Sequence, residues 1–417
     1  MKVQRVSKPR NPDRRLAPRP LPIHLASAIS LWLSSRAALP ILKYVSPRSS
    51  LGGERACRLA DEIEELGPDK VAAALDSEII RRAELYLSGL ESYRRHPFRR
   101  RVAAPTVLWR SGATRLLDYG RDTAGPAVFV VPSLINRYYV LDILPERSFL
   151  RHLAGQGLRP LVVDWGAPGK REQTYGLSDY VTGPLDQALT AAARVAGSPI
   201  GIVGYCMGGL FALALALRRQ DEIGCLALLA TPWDFHAGSP QRAQMFADTA
   251  GCLLRSCGEH NMVPVEMIQS FFFMLDPFAA ERKFTSFAAL TPDGDAARSF
   301  VALEDWLNDG VPLSGRVARD CARFWYGENL PGRLRWQVRG QLIDPRQIRR
   351  PALVVLPRRD RIVPPDSAKP LAAHLPAATV MRPPLGHVGM MSAARAPAML
   401  WTPIADWLRV QLVSPRP

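Results

Sequence analysis

Histidine and cysteine are scarce in this 417-residue chain, and their spacing excludes several kinds of site. The six cysteines (Cys57, Cys206, Cys225, Cys252, Cys257 and Cys321) form no C-x-x-C pair and have no histidines at metal-ligand spacing, so neither a metal site nor a disulfide framework is expected. Such usage fits a reducing compartment, and a cytoplasmic location is expected. Long apolar runs are also missing. The most apolar stretch, Leu21 to Val45, is interrupted by Pro22, His24, Arg36, Pro40 and Lys43, so no transmembrane segment is expected. Roughly twenty polar, proline-containing residues precede it, which is not the form of a signal peptide. Over Ile23 to Leu33 the alternatives are ordinary packing and an interfacial amphipathic helix. Acid is short as well: 54 Lys and Arg against 38 Asp and Glu leave a formal charge of +16. That field attracts nucleic acid, anionic lipid or a phosphate-bearing ligand. Much of the excess lies in Lys2, Arg5, Lys8, Arg10, Arg14, Arg15 and Arg19, and in Arg94, Arg95, Arg99, Arg100 and Arg101, which reads as a basic tail. No nucleic-acid-reading motif is present and aromatics are not interleaved with the arginine runs, so no nucleic-acid partner is expected.

What the chain does have is 47% hydrophobic residues and a regular alternation of short β-branched runs with helix-like stretches. That alternation is the pattern of parallel βαβ units. AVFVVP (127–132), PLVVDW (160–165), IGIVGY (200–205), CLALLA (225–230), ALVVLP (352–357) and TVMRPP (379–384) read as strands. Residues 145–155, 178–195, 207–219, 366–374 and 397–410 read as helices, and 106–120 as a β-hairpin. Between Trp233 and Ile348 the alternation stops and a phenylalanine-rich segment, SFFFMLDPF (270–278), takes its place. That stretch is too long for a loop. The expected organisation is therefore a basic N-terminal helical region (1–100), an α/β core in two halves (101–232 and 348–417), and a helical cap (233–347) inserted between them.

The sharpest local signal is Gly204-Tyr205-Cys206-Met207-Gly208-Gly209, between a strand and an apolar helix. G-x-[S/C]-x-G in that context is the nucleophile elbow of the α/β-hydrolase fold, with a mostly parallel sheet flanked by helices. Cys206 would stand at the sheet edge and at a helix N-terminus, whose dipole favours a thiolate. A nucleophilic thiol needs a base, and the base an orienting acid. The order in this fold is nucleophile, acid, histidine. His387 lies in a glycine-flanked loop after the last strand, unlike His374, His152, His236 and His260. Asp360 follows ALVVLP, with Asp366 as its rival, although Asp366 starts the next helix in the manner of an N-cap. Backbone N–H groups of Met207 and of Leu134 or Ile135 are the candidates for an oxyanion hole.

With these residues placed, the chain resembles the polyhydroxyalkanoate synthases. VVPSLINRYYVLDILP (130–145), LVVDWGAPG (161–169), LSDYV (177–181), GYCMGG (204–209), LLATPWDF (228–235), DRIVPP (360–365) and LGHVG (385–389) occur in the order found in that family. The forms DWG-x-P and TP-x-DF resemble most the shorter synthases that act with a second subunit. The resemblance covers about Tyr93 to Leu408. It departs at Arg361, where synthases usually carry histidine, and before Tyr93. It implies polymerisation of (R)-3-hydroxyacyl-CoA into an intracellular polyester with release of CoA. Cys206 would hold the acyl chain, His387 would take the thiol proton, and Asp360 would orient His387 or help activate the incoming 3-hydroxyl. It further implies association with a polyester granule, and a second synthase subunit or a homodimer.

A cysteine nucleophile forms a thioester nearly isoenergetic with acyl-CoA, which favours transfer. A CoA-thioester hydrolase or an esterase or depolymerase of the same fold is the alternative within enzymes, and a non-catalytic granule-binding protein the alternative outside them. No metal and no bound cofactor is expected beyond CoA as part of the substrate, because acyl transfer needs only the triad and its oxyanion donors.

Overall fold

The computed structural model describes residues 15, 18–46, 53–121, 123–196, 199–256, 262–376 and 378–413. Cys257, His260 and the basic positions up to Arg14 lie outside them. The chain divides into two compact units: Met1–Phe98 with Gln269–Asn308, and Arg99–Ile268 with Asp309–Pro417.

In the second unit eight strands form one sheet: β1 (Thr106–Ser111), β2 (Thr114–Asp118), β3 (Ala127–Val131), β4 (Arg159–Asp164), β5 (Ile200–Tyr205), β6 (Ile223–Leu229), β7 (Ala352–Val355) and β8 (Thr379–Met381). Their order is β1-β2-β4-β3-β5-β6-β7-β8. The hairpin strand β2 runs antiparallel to β1 and β4, and every other neighbouring pair is parallel. Strands β3, β5, β6 and β7 are buried at every position. Continuous Val, Ile, Leu and Ala runs are what parallel strands covered on both faces require. The helix Met207–Arg218 packs on β3, β5 and β6 and is buried from Met207 to Leu217, which explains why MGGLFALALALR is apolar all round. Asp186–Ala196 packs on β1, β2 and β3, and Thr402–Val413 on β5 and β6. The chain thus has the α/β-hydrolase fold, and its strands and crossover helices fall within a few residues of the positions expected from the sequence.

Arginines that looked like loose basic surface are partly structural. Asp142 is buried and accepts from Arg151 Nε at 2.9 Å, Tyr119 Oη at 2.9 Å and Arg100 Nη2 at 3.2 Å. The Arg100 guanidinium also lies 4.8 Å from the Tyr139 ring centre. Asp118 accepts from Arg159 Nη2 at 2.7 Å, and Asp164 from Arg115 Nε at 3.1 Å. Each of these three buried carboxylates is compensated by a guanidinium, as burial of charge demands.

The first unit is helical: α1 (Leu21–Ala38), α2 (Gly53–Leu66) and α3 (Pro68–Arg95) associate with Ala279–Ala288 and Asp295–Asn308. Its core gathers Ala28, Tyr86, Leu90, Tyr93, Phe284, Phe287 and Val301. Arg15, expected as part of a basic tail, donates from Nε to Asp305 Oδ1 at 2.8 Å, and Tyr93 Oη donates to the same oxygen at 2.9 Å. The segment 269–308, inside the stretch read as one inserted cap, therefore belongs to a core with the N-terminal helices. The interruptions expected to break up the stretch from Leu21 do not do so. Leu21–Tyr44 is one helical stretch long and apolar enough to cross a membrane by length and composition, because Pro22 and Pro40 fall at helix starts and leave the stretch unbroken. α1 nevertheless packs one face into the unit's core, through Ala28, Leu21, Leu25 and Trp32.

The contact between α3 and Ala279–Ala288 is close enough to require glycine. A Cβ at Gly89 would lie 2.0 Å from the carbonyl oxygen of Phe284. Gly89→Ala is expected to lower stability by about 1–3 kcal/mol through overpacking, against the gain of about 1 kcal/mol that alanine brings to an unconstrained helix. Urea unfolding followed by tryptophan fluorescence checks this, and an unchanged or higher midpoint would refute the close contact.

Candidate active site

The site begins with backbone. At the end of β5 the chain turns into Met207–Arg218 through Cys206, which has φ 56° and ψ −128°. A side-chain-bearing residue holds such angles only when its surroundings fix them, at a cost of about 1–3 kcal/mol. Here Cys206 N donates to Leu229 O at 2.9 Å, and Gly209 N to Cys206 O at 2.9 Å. Gly208 sits so close to the exit of β3 that a Cβ would lie 2.2 Å from Val131 O and 2.4 Å from Pro132 O. From Ile200 to Leu217 only Cys206 is not fully buried, so the turn presents its thiol while hiding everything around it.

His387 and Asp360 arrive from the loops after β8 and β7. His387 Nδ1 lies 2.7 Å from Asp360 Oδ2, and Asp360 Oδ1 accepts from the amides of Ile362 at 2.9 Å and Val363 at 2.8 Å. Both carboxylate oxygens are thus engaged, and both side chains are buried. With Nδ1–H directed at the carboxylate, Nε2 is left for Cys206, and the imidazole is hydrogen-bonded to that side chain. Burial, the strongest single influence on His387, lowers its pKa. The Cys206 charge and the hydrogen bond to Asp360 outweigh it and raise the pKa to about 10. The rival Asp366 is exposed in the first turn of Pro365–His374 and is not that helix's N-cap, a position held by Pro364. His152 pairs with Thr402 Oγ1 and His236 with the carbonyl of Tyr326, so neither faces the thiol's partner carboxylate.

The two oxyanion candidates differ in their bonding. Met207 N–H lies in the first turn of its helix, where amides have no intrahelical acceptor. The Ile135 amide donates to Ser133 Oγ at 3.1 Å, which leaves Leu134 as the better second donor. The close approach of Gly208 to Val131 and Pro132 places that turn against the helix N-terminus. Trp165, from the DWG segment, braces it by donating from Nε1 to Pro132 O at 3.1 Å.

Two residues of the site escaped sequence reasoning. Tyr205, the variable position before the cysteine, donates from its hydroxyl to His387 O at 3.2 Å, with its ring 5.2 Å from the imidazole. Tyr326 comes from the π-helical turn Cys321–Gly327. Burial raises its pKa, and the charges of Cys321 and Cys206 contribute. Its ring lies 4.3 Å from Phe246 and 5.0 Å from Phe235. The segment is held by Asn329, which donates from Nδ2 to Asp234 Oδ1 at 2.8 Å and accepts the Phe235 amide at 2.9 Å. The only available signal was the aromatic density of TPWDF and CARFWYG. Two of the other thiols are poor nucleophiles: Cys225 is buried in β6, and burial beside Asp320 pushes the Cys321 thiol well up.

A thiol, an imidazole and a carboxylate in this order suit nucleophilic acyl transfer. The arrangement also fixes how His387 titrates. Replacing Cys206 by alanine, or Asp360 by asparagine, is expected to lower the His387 pKa from about 10 towards the ordinary histidine value, with the Cys206 change the larger because its charge is the stronger raising influence. NMR titration of the His387 ring checks this; a wild-type midpoint near the ordinary value would contradict the coupled arrangement.

Comparison with known proteins follows the same lines. A family profile described as alpha/beta hydrolase fold matches residues 126–256. The chain is 27% identical over 321 residues to the poly(3-hydroxyalkanoate) polymerase subunit PhaC of Haloferax mediterranei, covering 72% of this chain and 63% of that protein. It is 27% identical over 312 residues to the protein of the same name from Allochromatium vinosum, covering 70% and 84%. The chain thus spans a little under two thirds of the length of the Haloferax protein. Among solved structures, a soluble variant of monoglyceride lipase from Saccharomyces cerevisiae, in complex with a substrate analog, matches with a TM-score of 0.51 and 13% identity over 76% of this chain and 99% of that one.

Proposed function

We propose, for this α/β-hydrolase-fold chain that resembles the poly(3-hydroxyalkanoate) polymerase subunits, an acyltransferase that polymerises (R)-3-hydroxyacyl groups delivered as CoA thioesters. The observation that carries the reading is the buried Asp360–His387 pair meeting a single presented thiol at a strand-to-helix turn. His387 takes the thiol proton, and Cys206 Sγ attacks the thioester carbonyl. The carbonyl oxygen carries the developing charge towards the amides of Met207 and Leu134. The C–S bond to CoA breaks, and the CoA thiolate leaves with the proton held by His387. Asp360 keeps the imidazole in the tautomer that directs Nε2 at the thiol, and stabilises the imidazolium.

In the second half-reaction the 3-hydroxyl of an acyl group attacks the Cys206 thioester while His387 accepts its proton. An ester bond forms, the Cys206–acyl bond breaks, and the chain grows by one unit. A thioester intermediate supports transfer over hydrolysis because little free energy is lost on moving an acyl group between two thiols. Arg255, Arg316, Arg319 and Arg323 line a cavity of about 790 Å³ together with Asp248, Asp320 and Glu328, the last of which accepts from Arg323 Nε at 2.7 Å. A ligand with several phosphates, such as CoA, suits that lining. Association with a polyester granule, and with a second synthase subunit or a second copy, belongs to the same proposal. So does the expectation that catalysis uses no metal and no bound cofactor.

The test is to incubate the protein and its Cys206→Ala variant with (R)-3-hydroxybutyryl-CoA and to follow free CoA and sedimentable polymer together. CoA release with polymer, both lost in the variant by a factor of about 10³ or more, is the expected result. CoA release with only soluble hydroxyacid would replace the proposal with a thioesterase, and activity retained by the variant would discard the thiol mechanism.

A further inference from the structure

Tyr205 ends β5, paired with Leu229 of β6, and is 4% exposed. The strand end that carries it is fixed on both sides: a Cβ at Gly204 would lie 2.5 Å from Gly209 Cα, and Cys206 N donates to Leu229 O at 2.9 Å. From this rigid base the side chain reaches His387 twice. Its hydroxyl donates to His387 O at 3.2 Å, and its ring centre lies 5.2 Å from that of the imidazole with the two planes 30° apart. Rings that close at so shallow an angle overlap by their faces, since an edge-on contact would set the planes steeply. Neither contact involves the imidazole nitrogens, which belong to Asp360 and Cys206.

The chemistry of the phenol narrows what these contacts do. Burial above all, with the charges of Cys206 and Asp360, pushes the Tyr205 pKa well up, so the hydroxyl keeps its proton and takes no part in proton transfer. It holds the main chain of His387 instead. The ring acts on the side chain. The ionisable groups that act most on the imidazole are Cys206 from the elbow and Asp360 from the loop after β7, the latter with both oxygens engaged. Arg361 follows Asp360 and is exposed, and Tyr326, from the turn Cys321–Gly327, feels the charge of Cys206. Hydrogen bonds to the nitrogens of an imidazole run in its plane, so Cys206 and Asp360 both meet the ring at its rim. Tyr205 meets it on a face. The face of an aromatic ring is its negative side and attracts a cation within about 6 Å of its centre, more strongly where water is excluded. A protonated His387, only 7% exposed, is such a cation.

We propose that Tyr205 is a positioning residue for His387: its hydroxyl holds the histidine main chain, and its ring face stabilises the imidazolium formed when the thiol proton is taken up. The inference rests on the reading of His387 as the base for Cys206, whatever the substrate. A residue wanted only for bulk would need neither the hydroxyl nor the electron-rich face, and NMR of the His387 ring in the full chain separates the cases. In Tyr205→Phe the ring remains, so the titration midpoint stays near that of the wild type, while the Nδ1 proton shared with Asp360 exchanges with solvent about three- to tenfold faster. Fluorinating the ring of that variant at three and then five positions keeps its shape and drains its face. The midpoint is then expected to fall at each step, by about half to one and a half pH units in all, which is a change of about three- to thirtyfold in the protonation equilibrium. Equal unfolding midpoints across the series show that the fold is kept. A midpoint indifferent to fluorine would overturn the role of the ring, and unchanged Nδ1 exchange in Tyr205→Phe would overturn that of the hydroxyl. A wild-type midpoint near the ordinary histidine value would instead refute the base itself, and this inference with it. No substrate enters these measurements, so failure of CoA turnover counts against the proposed reaction alone.

Discussion

Everything at the site depends on one turn: the change of direction at Cys206, from β5 into a helix, with φ 56° and ψ −128°. A chain that must reverse so sharply at a sheet edge leaves no room beside the reversing residue. That is why the approach of Gly208 to Val131 and Pro132 is measured in ångströms too few for a methyl group. The same crowding that excludes neighbours is what presents the thiol. The strain is held by backbone hydrogen bonds to β6 and within the turn, and behind it by a helix whose side chains are apolar and buried from Met207 to Leu217.

The second constraint is electrostatic. His387 is buried, and burial alone would discharge it. It is kept in a charge-accepting state by two partners, a carboxylate fixed by two amides on one side and a thiol on the other. Tyr205 ties the two constraints together, since it belongs to the elbow by sequence and bonds to the carbonyl of His387 across 182 residues. Elsewhere the basic excess has partners that composition alone does not reveal. Arg100, Arg115, Arg151 and Arg159 neutralise buried aspartates, so the net charge overstates the positive surface offered to ligands.

The parts of this arrangement that were legible in the sequence are those that local physics dictates. Uninterrupted β-branched runs mark strands covered on both faces, and IGIVGY coincides with β5 residue for residue. G-Y-C-M-G-G marks the elbow because glycine spacing there follows from sterics. Asp360 and His387 were legible from their places just past late strands. Tyr205 and Tyr326 were not, because an aromatic residue in a loop or helix gives no sign of which distant group it touches. The division of 233–347 between two cores was also hidden: SFFFMLDPF and the helices after it are apolar enough to suit a cap or a separate bundle, and only contacts such as Gly89 against Phe284 distinguish the two. Composition likewise understated Leu21–Tyr44, since its prolines lie where helices begin and its two cations near its end.

The central claim is that Cys206, and no other thiol, carries the acyl group. Its most direct test is rapid quenching of the protein with (R)-3-hydroxybutyryl-CoA, followed by mass mapping of its cysteine peptides under acid. A hydroxyacyl mass increment on the peptide containing Cys206, absent from those containing Cys57, Cys225, Cys252, Cys257 and Cys321, is the predicted result. An increment on any of those five with Cys206 unmodified would contradict it.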